Sequence, residues 1–94
     1  MTDEIDQLLS RKSWFDRAVR HLVLLADRKG WSPQIKDYTV RLRYRANVIE
    51  FDMQPFGKVV IRRFVGGELA TTSETYDLDH ALLVTKRLME EMVR

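Results

Sequence analysis

Two histidines, His21 and His80, are the side chains in this sequence best suited to acid–base chemistry or metal binding. Neither has a second histidine at the His-x-x-x-His spacing that places two metal ligands on one face of a helix. The chain contains no cysteine, which excludes a thiol nucleophile, a disulfide and a thiolate metal site. These residues therefore predict no catalytic residue, no metal site and no cofactor.

Acidic, hydroxyl and glycine residues give no stronger sign of an active site. Asp77 and Asp79 are typical of the start of a helix, and no motif places a general base near the hydroxyl run at positions 71–73. The glycine pair at positions 66–67 has no helix directly after it, so it predicts a turn and not a phosphate-binding loop. The sequence predicts a protein that is not an enzyme.

Arginines supply the most regular pattern in the chain. Positions 39–45 read TVRLRYR, in which apolar residues alternate with arginine. Because successive side chains of a β-strand point to opposite faces, one face is apolar and the other carries Arg41, Arg43 and Arg45. Arginine pairs with phosphates and carboxylates and stacks on flat rings. The row indicates either an anion-binding surface or the solvated face of a sheet.

Composition and charge indicate the domain organisation, the localisation and the kind of partner. The 94 residues are 45% hydrophobic and 32% charged, which predicts one soluble globular domain over residues 1–94. The N-terminus is acidic and the longest apolar run has five residues, so we expect a cytoplasmic protein without a signal peptide or membrane span. Positions 11–63 contain 13 lysines and arginines against 5 acidic residues. This basic segment suggests an anionic partner.

Helices are predicted at both ends of the chain. A capped helix begins near Thr2, and apolar residues at helical spacing extend from Phe15 to the stop at Gly30, as one helix or as two. Asp77 is predicted to cap a last helix at positions 78–93. Its buried stripe would contain Leu78, Leu82, Thr85, Leu88, Met89 and Met92.

Four antiparallel strands are predicted between the helices. Both the apolar and the charged positions of the first hairpin agree with a loop at Ala46-Asn47, which pairs Leu42 with Phe51 and Arg43 with Glu50. The remaining pairs in that register are Tyr44 with Ile49, Val40 with Met53, Arg41 with Asp52 and Arg45 with Val48. The next strand is expected to set Val59 beside Phe51 and Ile61 beside Ile49, before a two-residue turn at positions 66–67 leads into a fourth strand at about 68–74.

The predicted fold is α+β, with an N-terminal helix, a four-strand antiparallel meander and a C-terminal helix, both helices packed on one face of the sheet. A four-strand meander followed by a helix resembles the order in the Whirly and PUR-type single-strand binders. The helix–strands–helix order is similar to that of double-stranded-RNA-binding domains. Both resemblances imply nucleic-acid binding as one function for the chain.

The open face of the sheet is the predicted site. In the register above, its apolar residues cluster with a border of arginines, a combination typical of interaction surfaces. The predicted interaction residues are Arg41, Arg43, Arg45, Val60, Arg62, Phe64 and Leu69. In that register Arg63 points inward, and a bulge near positions 62–63 is the alternative, which would bury Phe64 instead.

Two functions fit this face. The first is a non-enzymatic module that binds another protein or associates with itself. The second is single-stranded RNA or DNA binding, with arginines on phosphates and an aromatic residue on a base. Because Glu50 and Asp52 interrupt the positive track, the sequence favours the protein interaction. Neither a membrane nor a small-molecule substrate is predicted as a partner.

Overall fold

The computed structural model describes the backbone of residues 2–93 and the side chains of residues 10–93. Two helices flank a five-strand antiparallel sheet in which every strand pairs with its neighbours in sequence. The elements are α1 (Thr2–Lys29), β1 (Ser32–Lys36), β2 (Thr39–Tyr44), β3 (Asn47–Met53), a short 3-10 helix (Pro55–Gly57), β4 (Val59–Val65), β5 (Glu68–Thr75) and α2 (Leu78–Met92). The predicted α+β class and meander are confirmed, with one strand more than the four expected.

Strand β1 is the additional element. It pairs along its whole length with β2, and all five of its residues are exposed. An alternating pattern cannot reveal a strand that is exposed on both faces. Pro33 fits this position because an edge strand can tolerate a residue with no backbone N–H. Trp31, directly before β1, is buried in the core.

Helix α1 is continuous from Thr2 to Lys29 and ends in a Schellman motif. Gly30 takes a left-handed conformation with a φ of 77°, and the Trp31 N–H donates to the Ala26 carbonyl at 2.8 Å. This cap turns the chain toward the sheet and places the Trp31 ring 5.4 Å from the Tyr44 ring, measured between centroids. The Gly30 cap therefore also positions Trp31 against Tyr44, an aromatic pair that packs on the core.

The core lies between the helices and one face of the sheet. Both helices and strands β2, β3 and β4 supply buried apolar side chains to a single cluster. Arg11 of α1 ties the helix to the end of β3, because its guanidinium donates to the Met53 carbonyl at 2.9 Å and lies 3.8 Å from the Tyr38 ring centroid. Helix α2 begins as predicted, with the Asp77 carboxylate accepting from the His80 N–H at 3.2 Å. Both helices thus pack on the same face.

The strand register differs by two residues from the predicted one. Arg41 lies opposite Glu50, Arg43 opposite Val48, and Tyr44 opposite Asn47, so the loop consists of Arg45 and Ala46. The β3–β4 pairing is also shifted by two residues, in the opposite direction along β3, with Phe51 opposite Ile61 and Met53 opposite Val59. Because side chains alternate with a period of two, every residue within β2, β3 and β4 keeps its predicted face, whereas Arg45 leaves the strand for the loop. The predicted face of each strand residue was correct, and the predicted residue pairs across these strands were wrong.

The bulge lies in β5 and not in β4. Arg63 pairs with Thr71 and Phe64 with Leu69, which leaves Ala70 as the extra residue. Strand β4 therefore keeps its alternation, with Arg63 on the core face and Phe64 on the open face, and the predicted Phe64–Leu69 pair is present. The Arg63 Nε atom is buried without a hydrogen-bond partner among the described residues. The predicted glycine turn connects Val65 to Glu68.

Substitution of one residue on each face of β4 tests this alternation. We expect Phe64→Glu to lower the free energy of unfolding by about 1 kcal/mol, since the residue is half-buried on the open face. Ile61→Glu should cost more than about 4 kcal/mol because it buries an unpaired carboxylate in the core. Urea denaturation followed by circular dichroism measures both values. Loss of the fold in Phe64→Glu would place this side chain in the core.

The turn before β4 contains a second testable feature. Phe56 adopts a left-handed backbone conformation with a φ of 65°, which costs a non-glycine residue about 1–2 kcal/mol. The residue is 74% exposed. We expect Phe56→Gly to raise the free energy of unfolding by about 0.5–1 kcal/mol. Tyr76 is the matched control, since it is 73% exposed and its φ is not positive. Tyr76→Gly should not raise stability, and an equal effect in both variants would contradict the role of strain.

Candidate interaction surface

The open face of the sheet carries two carboxylates at its centre. On β3, Glu50 lies within 4.0 Å of Arg41 and 3.9 Å of Arg62, which flank it on the neighbouring strands. Asp52 lies 3.5 Å from Arg62 and also accepts from the Thr39 hydroxyl at 3.2 Å. Arg41 and Arg62, both predicted interaction residues, are therefore engaged in ion pairs along the sheet.

Cations outnumber carboxylates on this face. The sheet contributes five cations to it, Lys36, Arg41, Arg43, Lys58 and Arg62. It also contributes three carboxylates, Glu50, Asp52 and Glu74. Lys58, which precedes β4, lies 3.1 Å from the Glu74 carboxylate. Three of the five cations, Arg41, Lys58 and Arg62, therefore lie at ion-pair distance from a carboxylate.

Arg43 is the exception among the three arginines. The two-residue shift places it opposite Val48 in place of the predicted Glu50. Within residues 10–93, no carboxylate lies at ion-pair distance from its guanidinium. The open face therefore has one arginine whose charge is available to a partner.

Arg45 was expected at the end of the arginine row and lies elsewhere. It is the first residue of the β2–β3 loop, with a φ of 55°. Its guanidinium lies 5.3 Å from the ring centroid of Tyr44, a residue that packs against the helix side of the sheet. This cation–π contact directs Arg45 away from Arg41 and Arg43.

The predicted apolar cluster is only partly accessible. Val60 and Val48 are buried, at 3% and 7% exposure, although both point away from the helices. Phe64 is half-buried, and Leu69 opposite it is 56% exposed. Val60 therefore lies under its neighbours, and the accessible apolar surface is located where the two hairpins end.

Arg43, Val48, Phe64 and Leu69 form what we call the hairpin patch. Val48 lies opposite Arg43 on one side and Phe64 on the other, and Leu69 continues the row on β5. The adjoining loops are joined by a hydrogen bond of 3.0 Å from the Gly66 N–H to the Ala46 carbonyl. A shallow depression of about 420 Å³ lies here, lined by Arg41, Arg43, Ala46, Val48, Glu50, Phe64, Gly66 and Gly67.

Aromatic residues at the other end of the strands were not predicted as a surface. Trp14 and Tyr76 line a depression of about 320 Å³ beside Met53, and the exposed Phe56 is in the adjacent turn. Trp14 also packs over the turn, because a Cβ atom added at Gly57 would lie 3.3 Å from its ring. The sequence offers one signal for this cluster, an aromatic residue within a proline–glycine turn.

The two histidines occupy ordinary positions. His80 lies in the first turn of α2, where its backbone N–H is capped by Asp77, and His21 lies on the exposed side of α1. Within the described residues, no group of three histidine or acidic side chains is arranged to hold a metal ion. In the same part of the chain, no helix is long and apolar enough to cross a membrane.

Comparison with known proteins gives no relative for this chain. No protein-family model matches it, and neither a curated protein nor a solved structure is significantly similar.

Proposed function

We propose that this chain is a non-enzymatic binding module that recognises another protein through the hairpin patch. The observation that carries the proposal is the position of Arg43. It is an arginine with no carboxylate partner among the described side chains, next to a half-buried phenylalanine and an exposed leucine. Arginine and aromatic residues are enriched among the side chains that dominate binding energy in protein interfaces.

The surroundings of the patch support this role. Arg41, Glu50 and Arg62 form ion pairs beside it, so their charges are already compensated before a partner arrives. Such a border excludes water from a central contact without adding much energy of its own. Val48 supplies a buried floor that a partner side chain can contact without rearranging the core.

Self-association is the simplest form of this function. Around a twofold axis, the same patch on two copies meets itself, so Arg43 of each copy can lie over Phe64 of the other. The contact between a guanidinium and an aromatic ring is favourable in a desolvated interface. A different protein with an acidic residue beside an apolar one would satisfy the same groups.

Single-stranded nucleic acid is the second candidate, because Arg43 beside Phe64 can also contact a phosphate and a stacked base. The carboxylates at the centre of the face oppose it. Three carboxylates accompany the three arginines of strands β2 to β5, and Tyr44, the other aromatic residue of β2, packs on the helix side. A continuous positive track for a phosphate backbone is therefore not formed.

The protein-binding proposal predicts a loss of association on changing the patch. We expect Phe64→Glu and Arg43→Glu to reduce association at least about tenfold, because each places a carboxylate in the contact. Light scattering over a concentration series measures self-association, and affinity capture from the source cell with mass spectrometry measures binding to another protein. Arg87→Glu, an exposed arginine on α2, is the control. The proposal fails if both patch variants retain the mass and the captured partners of the unchanged protein.

The nucleic-acid alternative is tested by fluorescence polarisation with a mixed-sequence single-stranded oligonucleotide. We expect no binding that depends on Arg43 at about 50 mM salt. Binding that weakens steeply with salt and disappears in Arg43→Glu, but persists in Arg87→Glu, would replace the protein-binding proposal with the alternative.

A further inference from the structure

A second surface lies on the opposite side of the molecule, between the two helices. Arg17 of α1 forms an ion pair of 2.6 Å with Asp79 of α2, and Lys29 forms one of 3.3 Å with Glu90. Because the sequence separations of these pairs are 62 and 61 residues, the two helices run parallel and nearly in register. The Arg17–Asp79 pair lies at one end of a groove between them, and the Lys29–Glu90 pair lies beyond its other end.

Residues at helical spacing line this groove from both sides. The α1 stripe contains Arg17, Arg20, His21 and Leu24. The α2 stripe contains Asp79, Leu82, Leu83 and Lys86. Together they enclose a volume of about 520 Å³. Each stripe follows the i, i+3, i+4, i+7 pattern of one helix face, so the groove is a continuous surface along both helices.

The floor of the groove is apolar and accessible. Leu82 is buried, whereas Leu24 is 60% exposed and Leu83 is 42% exposed. Exposed leucines are common on protein surfaces when they occur singly. Here two of them border the same groove from two helices, so they form one apolar strip.

The border of the strip is basic. Arg20, His21 and Lys86 form no ion pair with any side chain of residues 10–93, whereas the acidic Asp79 is already paired with Arg17. Among the described residues that line the groove, the unpaired charged side chains, Arg20 and Lys86, are therefore positive. A second copy of this chain would bring the same cations against them, which disfavours a symmetric dimer through this groove.

We propose that this groove binds an acidic amphipathic helix of a partner protein. The lining residues extend from Arg17 to Leu24 and from Asp79 to Lys86, about 10 Å or two helical turns on each helix. A helix with leucines at i, i+3 or i+4, and i+7 would place them on Leu24 and Leu83, and flanking glutamates would reach Arg20 and Lys86. The hairpin patch lies on the other face of the sheet, so this proposal does not rest on the proposed function.

The proposal is tested with a designed probe and a twin of opposite charge. The probe is a capped peptide of about 16 residues, with leucines at that spacing and glutamates at the other positions. Its twin has lysine in place of every glutamate. The binding of each is followed through the amide resonances of the isotope-labelled protein. We expect the glutamate peptide to bind with a Kd of about 10–100 µM and to shift the resonances of the two stripes.

Matched variants separate the groove from the rest of the surface. Leu24→Glu and Lys86→Glu should each weaken binding of the glutamate peptide at least about tenfold. Ile35→Glu changes an aliphatic residue that is 47% exposed on the edge strand β1, outside the groove and the hairpin patch, and should leave the Kd within about twofold. All three positions are exposed, so the amide spectrum of each variant also verifies that it is folded.

Three results would overturn the proposal. One is the absence of resonance shifts in the stripes at about 1 mM glutamate peptide, and another is equal binding of the lysine twin. The third is a preference for a membrane surface, seen as Lys86-dependent sedimentation with phosphatidylglycerol vesicles and no binding of the peptide.

Discussion

Strand β3 imposes the constraint on which the rest of this structure depends. Its two faces have opposite requirements, because Ile49, Phe51 and Met53 are buried under the helices while Glu50 and Asp52 are largely covered on the open face. A half-covered carboxylate needs a cation or a hydrogen-bond donor nearby. Arg41 on one side and Arg62 on the other meet that need. The central strand therefore limits β2 and β4 to registers that place a cation beside its carboxylates, and the turn after β2 selects among those registers for β2.

The same alignment explains why Arg43 remains available. Glu50 is shared between the arginines of two strands, and the β3 residue opposite Arg43 is Val48. An acidic residue at position 48 would extend the ion pairs to the end of the hairpin and remove the free charge. Valine at this position keeps the cation unpaired among the described side chains and also gives Phe64 an apolar neighbour. The hairpin patch is thus a consequence of one residue type at the end of β3.

Much of the fold could be predicted from the sequence, but the residues facing each other across strands could not. Alternation assigned every residue of β2, β3 and β4 to its correct face, yet a shift of two residues leaves that pattern unchanged, and Arg41 finds an acidic neighbour at either Glu50 or Asp52. The turn decides between them. Asparagine tolerates a positive φ well, which favours Asn47 in the loop, whereas Arg45 takes that conformation here. As a result Arg43, and not Arg45, is the arginine of the open face that has no carboxylate partner within residues 10–93.

The helix groove had no signal in the sequence, because it depends on how two distant segments are aligned. In the sequence, Leu24 and Leu83 each appear as a single exposed residue on an amphipathic helix. An odd number of strands between α1 and α2 makes the helices parallel, and the ion pairs Arg17–Asp79 and Lys29–Glu90 set their relative position. The fifth strand, β1, is therefore more than an added edge, since a four-strand meander would reverse one helix and separate these pairs. With five strands, the sheet presents the hairpin patch on one side and the helices present the basic groove on the other. The two proposed interactions therefore share no residues.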